Sequence, residues 1–548
     1  MRILIIGAVA AGTSAAAKAR RNSEECEIVV YEKEKYISYS SCGMPYYIGK
    51  RITDFEELVP RDPEYFKTRY NVDILIGHEV LSIDPKLKQL EVKNLETGEV
   101  FTDNFDKLII STGTKAILPP IDGINNSNVF LLRNVKDMLK ITDFIKDKKP
   151  MNAAIIGTGF IGLELCENLS ALGLKVSMIE KMSQVASGLD SDMAINVQKY
   201  IEHKNIQVYL NAKVDGITDQ IIKLEDGKEI PADIVIVAAG VRPDVDLAKK
   251  AGLEIGKTGA IVVNTKMETN IKDIYACGDC IEQFNLITGK PTFRPLGSTA
   301  NKTGRIAGDN VTGGTLRFRG ILGTSIFKVF DLAVAQTGLS EKEALELGYT
   351  ILISHNIKPS KPAYMGGKDM VIKAVADKIT GRLLGVQITG EDGVDKRIDV
   401  FATAITFGSK AEDLSHLDLA YAPPFSTTKD PVIYTGMILD NEINRGRMLI
   451  TAKKMEELIA SGEKLQIIDT RIPKQYAKSS IEGAVNIPLE KLREESRLLD
   501  KNITTVVYCN KGITGNAAQN ILLNKGFTKV YNISGGKKAF SKWMEASK

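Results

Sequence analysis

The hydrophobic pattern of this chain falls into strand-sized apolar runs separated by helix-period and turn-rich stretches, the signature of an α/β protein. The run Ile3-Leu4-Ile5-Ile6 leads into Gly7, a stretch of small residues, Gly12 and a helical segment to Arg20. The arrangement recurs about 150 residues later, where Ala153-Ala154-Ile155-Ile156 precedes Gly157-Thr158-Gly159-Phe160-Ile161-Gly162 and a helix through Leu172. Continuous apolar runs of this kind mark parallel strands covered on both faces. Two further stretches, Phe105 to Thr114 and Ala232 to Asp244, each read as a buried strand followed by a turn. The chain then returns to the first domain through Asn270 to Asp279. From Gly323 to Asp440 strands and helices alternate, with Val371–Val375 and Leu383–Ile388 as paired strands. The pattern breaks at 441–446, and residues 447–548 read as a separate α/β module.

Length and composition fit this division. The 548 residues correspond to about three to four domains. A formal net charge of +4 without a long basic run gives no support to nucleic-acid binding. The opening resembles a secretory signal, but the same residues make a strand, a glycine turn and a helix start, so no targeting or membrane segment is expected and the location is predicted to be cytoplasmic. Six cysteines are too few for a disulfide scaffold. Cys277 and Cys280 form a C-x-x-C without a second ligand pair, so they are read as packing residues and no metal is predicted.

The glycine turns are where chemistry begins. A helix N-terminus offers free N–H groups and a positive dipole end to a pyrophosphate. Gly7 permits the tight turn and Gly12 the close helix–strand packing, with Val9 at the middle glycine position. Glu32, ending the strand Ile28-Val29-Val30-Tyr31, is placed to accept both hydroxyls of an adenosine ribose. The second turn meets the full G-x-G-x-x-G pattern with Gly157, Gly159 and Gly162, and Glu180 ends the following strand. A carboxylate there favours NADH over NADPH, a preference that the adjacent Lys181 softens. Two readings stand for Glu164: an approach to the nicotinamide or flavin, and a solvated helix face.

Together with Tyr275-Ala276-Cys277-Gly278-Asp279, these motifs resemble the pyridine nucleotide–disulfide oxidoreductase superfamily over roughly residues 1–440. The resemblance implies FAD held by the first turn (Gly7, Ala8, Val9, Ala10, Ala11, Gly12), by Glu32, by the Ser111-Thr112-Gly113 turn and by Asp279, which binds the ribityl chain in two-dinucleotide flavoproteins. The implied architecture is two Rossmann-like nucleotide-binding domains, for FAD at 1–120 and 245–322 and for NAD(P)H at 121–244. An α+β dimerisation domain follows at 323–440, then a linker at 441–446 and the C-terminal module.

Cys42 lies in Ser41-Cys42-Gly43-Met44-Pro45. Glutathione-type reductases carry C-x-x-x-x-C, but here Tyr47 stands at the second position, so a lone thiol must cycle through a mixed disulfide, persulfide or sulfenic acid. The segment is predicted to open a helix, which lowers a thiol pKa. It resembles the single-cysteine branch of the superfamily, which includes coenzyme A-disulfide reductase, NADH oxidase, NADH peroxidase and NADH-dependent persulfide reductase. Peroxidase and oxidase members carry a histidine in the first glycine turn. Ala10 occupies that position, which argues against peroxide and oxygen chemistry. By the same resemblance Ser14, Lys18, Arg21, Ser38 and Ser41 fall at coenzyme A-binding positions, which makes coenzyme A a candidate bound ligand. Tyr421, in Tyr421-Ala422-Pro423-Pro424, matches a segment that reaches across a dimer interface to the partner's thiol, and Lys429 falls where coenzyme A phosphate is bound. A homodimer with the active site completed across the interface is implied. A second tyrosine of the coenzyme A-disulfide reductases corresponds to Ala363, with Tyr364 adjacent.

The C-terminal module resembles a rhodanese domain through Asp469-Thr470-Arg471, Ile481-Glu482-Gly483-Ala484, the strand Thr505–Tyr508 into Cys509, and Ser534-Gly535-Gly536. In that fold the loop after the cysteine wraps its N–H groups around the sulfur and stabilises a thiolate or persulfide. Thr514 and Ser480 stand where relatives often have an arginine and a histidine, while Lys511 remains in the loop. The combined expectation is an FAD-dependent NAD(P)H reductase of persulfide, polysulfide or coenzyme A-linked disulfide substrates, with Cys42, Cys509 and Tyr421 as catalytic residues. The alternatives are a coenzyme A-disulfide reductase, an NADH oxidase, and a non-enzymatic persulfide sensor.

Overall fold

The computed structural model describes residues 1–546 and divides into two compact units, Met1–Ser183 with Ile206–Gly323, and Gln184–Asn205 with the chain from Thr324 onward.

The first unit holds two five-stranded parallel sheets. One runs in the order Ile274–Ala276, Lys107–Ile110, Arg2–Ile6, Glu27–Glu32 and Asp73–Ile76. Strand Arg2–Ile6 is central and its apolar residues are buried, which explains the unbroken hydrophobic run. The return of the chain at Ile274–Ala276 pairs in parallel with Leu108–Ile110. Helix Ala10–Asn22 is rich in alanine because it packs backbone to backbone on helix Gly297–Asn310. A Cβ at Gly304 or Gly308 would collide with the backbone of Ala11 or Ala15. The other sheet runs Gln207–Tyr209, Lys175–Ile179, Asn152–Ile156, Ile234–Val237 and Val129–Leu131, all parallel.

The second unit holds a five-stranded antiparallel sheet in the order Ser325–Val329, Leu332–Gly338, Leu383–Gly390, Asp369–Asp377 and Ile351–Pro359, in which the paired strands expected near 371–375 and 383–388 are neighbours. It also holds a five-stranded parallel sheet, Leu449–Ile450, Val530–Ile533, Thr504–Tyr508, Leu465–Asp469 and Ala484–Asn486. The break expected at 441–446 is narrower than the pattern suggested. Helix Pro431–Arg445 runs through it and stops at Gly446, whose φ of +63° suits a residue without a side chain. Among the described residues no helix is long and apolar enough to cross a membrane.

Segment Gln184–Asn205 departs from the sequence-based division, which put it with the second nucleotide fold. Its helix Ser191–Glu202 packs within the second unit because a buried charge network holds it there. Lys373 is 0% exposed, and its Nζ lies 3.1 Å from Asp190, 2.7 Å from Asp192 and 2.6 Å from Glu341. The three carboxylates gather as a cation site would, and the Lys373 ammonium is the cation. His355 Nε2 meets Asp192 at 2.8 Å, and the Ser534 hydroxyl accepts from the His355 N–H at 2.6 Å. Burial opposes ionisation of Asp192, but Lys373 and His355 outweigh it and hold the carboxyl well below its usual range.

Candidate active site

The first cradle is built as the glycine spacing predicts. Gly7 has φ +99° and Gly12 sits so close to the Gly7 carbonyl that a Cβ would overlap it. Ser111 Oγ donates to the Ile6 and Gly7 carbonyls at 2.7 and 3.1 Å, bracing the turn. Thr112 Oγ1 donates to Asp244 O at 2.6 Å, and Gly113, at φ +69°, accepts from the Asp244 N–H. Glu32 accepts from the Ala8 N–H at 2.8 Å and the Glu34 N–H at 3.0 Å, while burial pushes its carboxyl up. Val9 is the N-cap of the helix that Ala10, Ala11 and Gly12 begin, and it places no side-chain acceptor on the free N–H groups there.

Asp279 lies in the turn Gly278–Cys280 at the end of strand Ile274–Ala276. Its Oδ1 is buried without a hydrogen-bond partner, and burial raises its pKa against the opposing pull of Arg133. An orphaned buried acceptor beside a glycine cradle and a ribose-type carboxylate fits a flavin adenine dinucleotide. Cys277 and Cys280 are fully buried, and the Cys280 thiol donates to the Cys277 carbonyl at 3.2 Å, as packing residues would.

The second cradle repeats the design. Gly157 has φ +104°, and a Cβ at Gly162 would overlap the Gly157 carbonyl, whereas the approach to Gly159 is open. Glu180 accepts from the Thr158 N–H and hydroxyl at 3.0 and 2.6 Å and from the Met182 N–H at 3.0 Å.

Cys42 is an exposed side chain in the short turn Ser41–Gly43, which runs into helix Met44–Ile48. Ser38, at φ +48°, donates its N–H to Ala8 O at 2.9 Å and so ties this loop to the first cradle. The expected drop in thiol pKa does not occur. The helix is only five residues long, and crowding by protein raises the Cys42 pKa, followed by the charge of Glu164; the Ser41 hydrogen bond opposes both. Glu164 is half-buried on helix Phe160–Ala171, with its own carboxyl raised to about 7 by burial and then by Glu167. The reading of Glu164 as a solvated helix face is therefore set aside. Glu167, 0% exposed, pairs with Arg51 and was not foreseen, because nothing in Leu165-Cys166-Glu167 signals a buried ion. We expect Glu164→Gln to lower the Cys42 pKa. Iodoacetamide labelling followed against pH should then show its midpoint moved to lower pH.

Cys509 is 6% exposed at the end of strand Thr504–Tyr508. Its sulfur accepts the Gly512 N–H at 3.2 Å and stands before helix Ile513–Asn524. The loop needs its glycines. Gly512 has φ +92°, and a Cβ at Gly536 would strike the backbone of Cys509 and of Gly512. The Lys537 N–H donates to Cys509 O at 2.8 Å and the Lys538 N–H to Asn510 O at 3.1 Å, fixing the loop against helix Gly536–Ala546.

Residues 1–295 match the family described as pyridine nucleotide-disulphide oxidoreductase, and residues 324–431 match its dimerisation domain. The chain belongs to this family. Residues 451–543 match the rhodanese-like domain. An NADH oxidase from Methanocaldococcus jannaschii is 38% identical over 79% of this chain and 97% of its own. An NAD(P)H coenzyme A polysulfide/persulfide reductase from Pyrococcus horikoshii is 35% identical over 80% and 98%. The crystal structure of reduced CoADR-RHD from Bacillus anthracis superposes with a TM-score of 0.97 at 38% identity, covering 99% of this chain and 98% of that one.

Membership in the pyridine nucleotide-disulphide oxidoreductases implies FAD and NAD(P)H as cofactors. The candidate coenzyme A contacts are more occupied than their spacing suggested. Ser14 donates to Asn301 at 2.6 Å, and Lys18 pairs with Asp309 at 3.1 Å and with Asn22 at 2.8 Å. Arg21 instead turns to the Tyr70 hydroxyl at 3.2 Å and stacks on its ring. Lys18 and Arg21 thus have separate partners, so a phosphate would have to displace them. Tyr421 is 47% exposed on a cavity of about 640 Å³ that Lys361, Lys396, Arg397 and Phe425 also line. Tyr364 is 76% exposed on the turn Ala363–Met365, and Lys429 is exposed just before helix Pro431–Arg445.

Proposed function

We propose that this protein reduces persulfide, polysulfide and coenzyme A-linked disulfide substrates with NAD(P)H, using FAD at the first cradle, NAD(P)H at the second, and Cys509 to handle sulfane sulfur. The observation that carries the reading is the pairing on one chain of a lone exposed thiol beside the flavin cradle with a second thiol whose sulfur accepts the Gly512 N–H. FAD, when bound, supplies two-electron transfer between a nicotinamide and a sulfur centre.

The Cys509 thiolate attacks the outer sulfur of R–S–SH. The S–S bond breaks, R–S⁻ leaves with its electron pair, and Cys509 carries the persulfide, stabilised by the Gly512 N–H. The Cys42 thiolate then takes that sulfur and returns Cys509 as thiolate. An electron pair cleaves the Cys42 persulfide to thiolate and HS⁻. The sum is NAD(P)H + H⁺ + R–S–SH → NAD(P)⁺ + R–SH + H₂S. Beside Cys42, Ser41 hydrogen-bonds the sulfur, and Glu164, ionising near neutrality, holds or releases a proton. The homodimer that the dimerisation domain suggests would let Tyr421 hydrogen-bond a leaving thiolate at the partner's Cys42. A cytoplasmic location belongs to the same reading.

The test is anaerobic turnover with coenzyme A persulfide and coenzyme A disulfide. The reading expects sulfide equal to the NAD(P)H oxidised with the persulfide. NAD(P)H oxidation with the disulfide alone would overturn it in favour of a plain disulfide reductase.

A further inference from the structure

The Cys509 loop lacks the arginine that relatives often carry, since Thr514 stands there, yet ammonium groups gather beside it, Lys511 in the loop itself, Lys538 on helix Gly536–Ala546 and Lys358 on strand Ile351–Pro359. Lys511, two residues beyond Cys509, reaches Asp369 Oδ1 at 2.8 Å, and Lys538 reaches Asp369 Oδ2 at 3.0 Å. Asp369 opens one edge of the strand pair Asp369–Asp377 and Ile351–Pro359, and Lys358 lies at the same end of that pair, opposite Met370. Lys358 Nζ is 3.6 Å from the centre of the Tyr434 ring, in the first turn of helix Pro431–Arg445, just after Lys429. The Lys358 ammonium is destabilised by burial and then by the charges of Lys511 and Lys429. Asp369 is thus paired with two of these ammonium groups, while Lys358 and Lys429 add like charge beside Lys511. Among the described residues, no ion pair joins Lys358 or Lys429 to a carboxylate, whereas Arg471 nearby is held by Asp469 at 2.6 Å.

Like charges gathered in one place raise the free energy of the empty site, and an anion relieves it. We propose that Lys358, Lys511 and Lys538 form an anion-binding mouth to Cys509, so that the rhodanese site takes sulfane donors bearing a separate anionic group, a sulfonate or a phosphate. This rests on the reading of Cys509 as a sulfur carrier. The antiparallel sheet contributes Lys358 to the two lysines of the Cys509 module, so the site is composite within the second unit. With thiosulfate the step is attack of the Cys509 thiolate on the outer sulfur, leaving a Cys509 persulfide and sulfite, and cyanide then removes the sulfur as thiocyanate.

The experiment is this sulfur-transfer half-reaction on the full chain without NAD(P)H, with thiosulfate, coenzyme A persulfide and an uncharged alkyl persulfide as donors. Lys358→Met is expected to raise KM for the anionic donors about tenfold with little change in kcat, and Lys358→Arg to restore it. Asp369→Asn, which frees Lys511 and Lys538, is expected to lower the same KM, a sign that loosened folding would not produce. If thiosulfate responds and coenzyme A persulfide does not, the anion is a small oxyanion; the reverse pattern assigns a phosphate-bearing carrier, and either result supports the site. Equal changes for charged and uncharged donors, or a raised KM in Asp369→Asn, would overturn the proposal while leaving Cys509 as carrier. No transfer from any donor would instead remove the carrier reading, and this site with it.

Discussion

Cys42→Ser should reduce NAD(P)H-dependent turnover of persulfides and disulfides by about 10³-fold or more. A serine hydroxyl does not ionise near neutral pH and cannot carry sulfane sulfur, while the exchange of sulfur for oxygen at an exposed position leaves the packing around it nearly unchanged. The variant should therefore still take up FAD and still transfer sulfur at Cys509. The same preparation decides the oxidase question raised by the 38% identical NADH oxidase. With Ala10 in the first turn and no acid–base group from that position, oxygen consumption should be slow in the wild type. Rapid oxygen consumption that survives Cys42→Ser would mean that electrons leave without passing through this thiol. Stopped-flow measurement of NAD(P)H oxidation with coenzyme A persulfide, coenzyme A disulfide and oxygen separates these outcomes.

Cys509→Ser should divide the activities. Sulfur transfer from any donor to cyanide should fall by about 10³-fold, because the Gly512 N–H and the start of helix Ile513–Asn524 stabilise charge on a sulfur that is no longer there. Persulfide reduction should fall with it, whereas reduction of coenzyme A disulfide at Cys42 should stay near the wild-type rate. The side chain is almost fully enclosed, so a smaller hydroxyl leaves only a minor packing defect, and thermal unfolding of the variant checks that the loss is chemical.

Much of this architecture was legible because its signals are local. Gly7, Gly12, Gly157 and Gly162 each stand where a side chain would meet backbone, Glu32 ends its strand and Glu180 directly follows the strand Lys175–Ile179, so a few residues of sequence define each cradle. Gly536 is likewise forced by the Cys509 loop. What escaped depends on partners distant in the chain. Lys373 meets Asp190 and Asp192 some 180 residues earlier, and that network draws helix Ser191–Glu202 into the second unit, which no periodicity reveals. The sign of the Cys42 shift was misjudged for the same reason. The local motif promised a helix N-terminus, but the helix is short, and crowding and Glu164, over a hundred residues away, decide the outcome. The charge around the Cys509 loop is equally non-local, since Lys511 pairs with Asp369 and neighbours Lys358, both on the antiparallel sheet.

The central claim is that sulfur carried by Cys509 is reduced through Cys42. The most direct measurement loads Cys509 with sulfane sulfur from thiosulfate, removes the donor by desalting, and adds NAD(P)H anaerobically. The account predicts release of sulfide equivalent to the sulfur loaded, with equal NAD(P)H oxidation, and none from the Cys42→Ser variant. A persulfide on Cys509 that persists in the presence of NAD(P)H and functional Cys42 would contradict it.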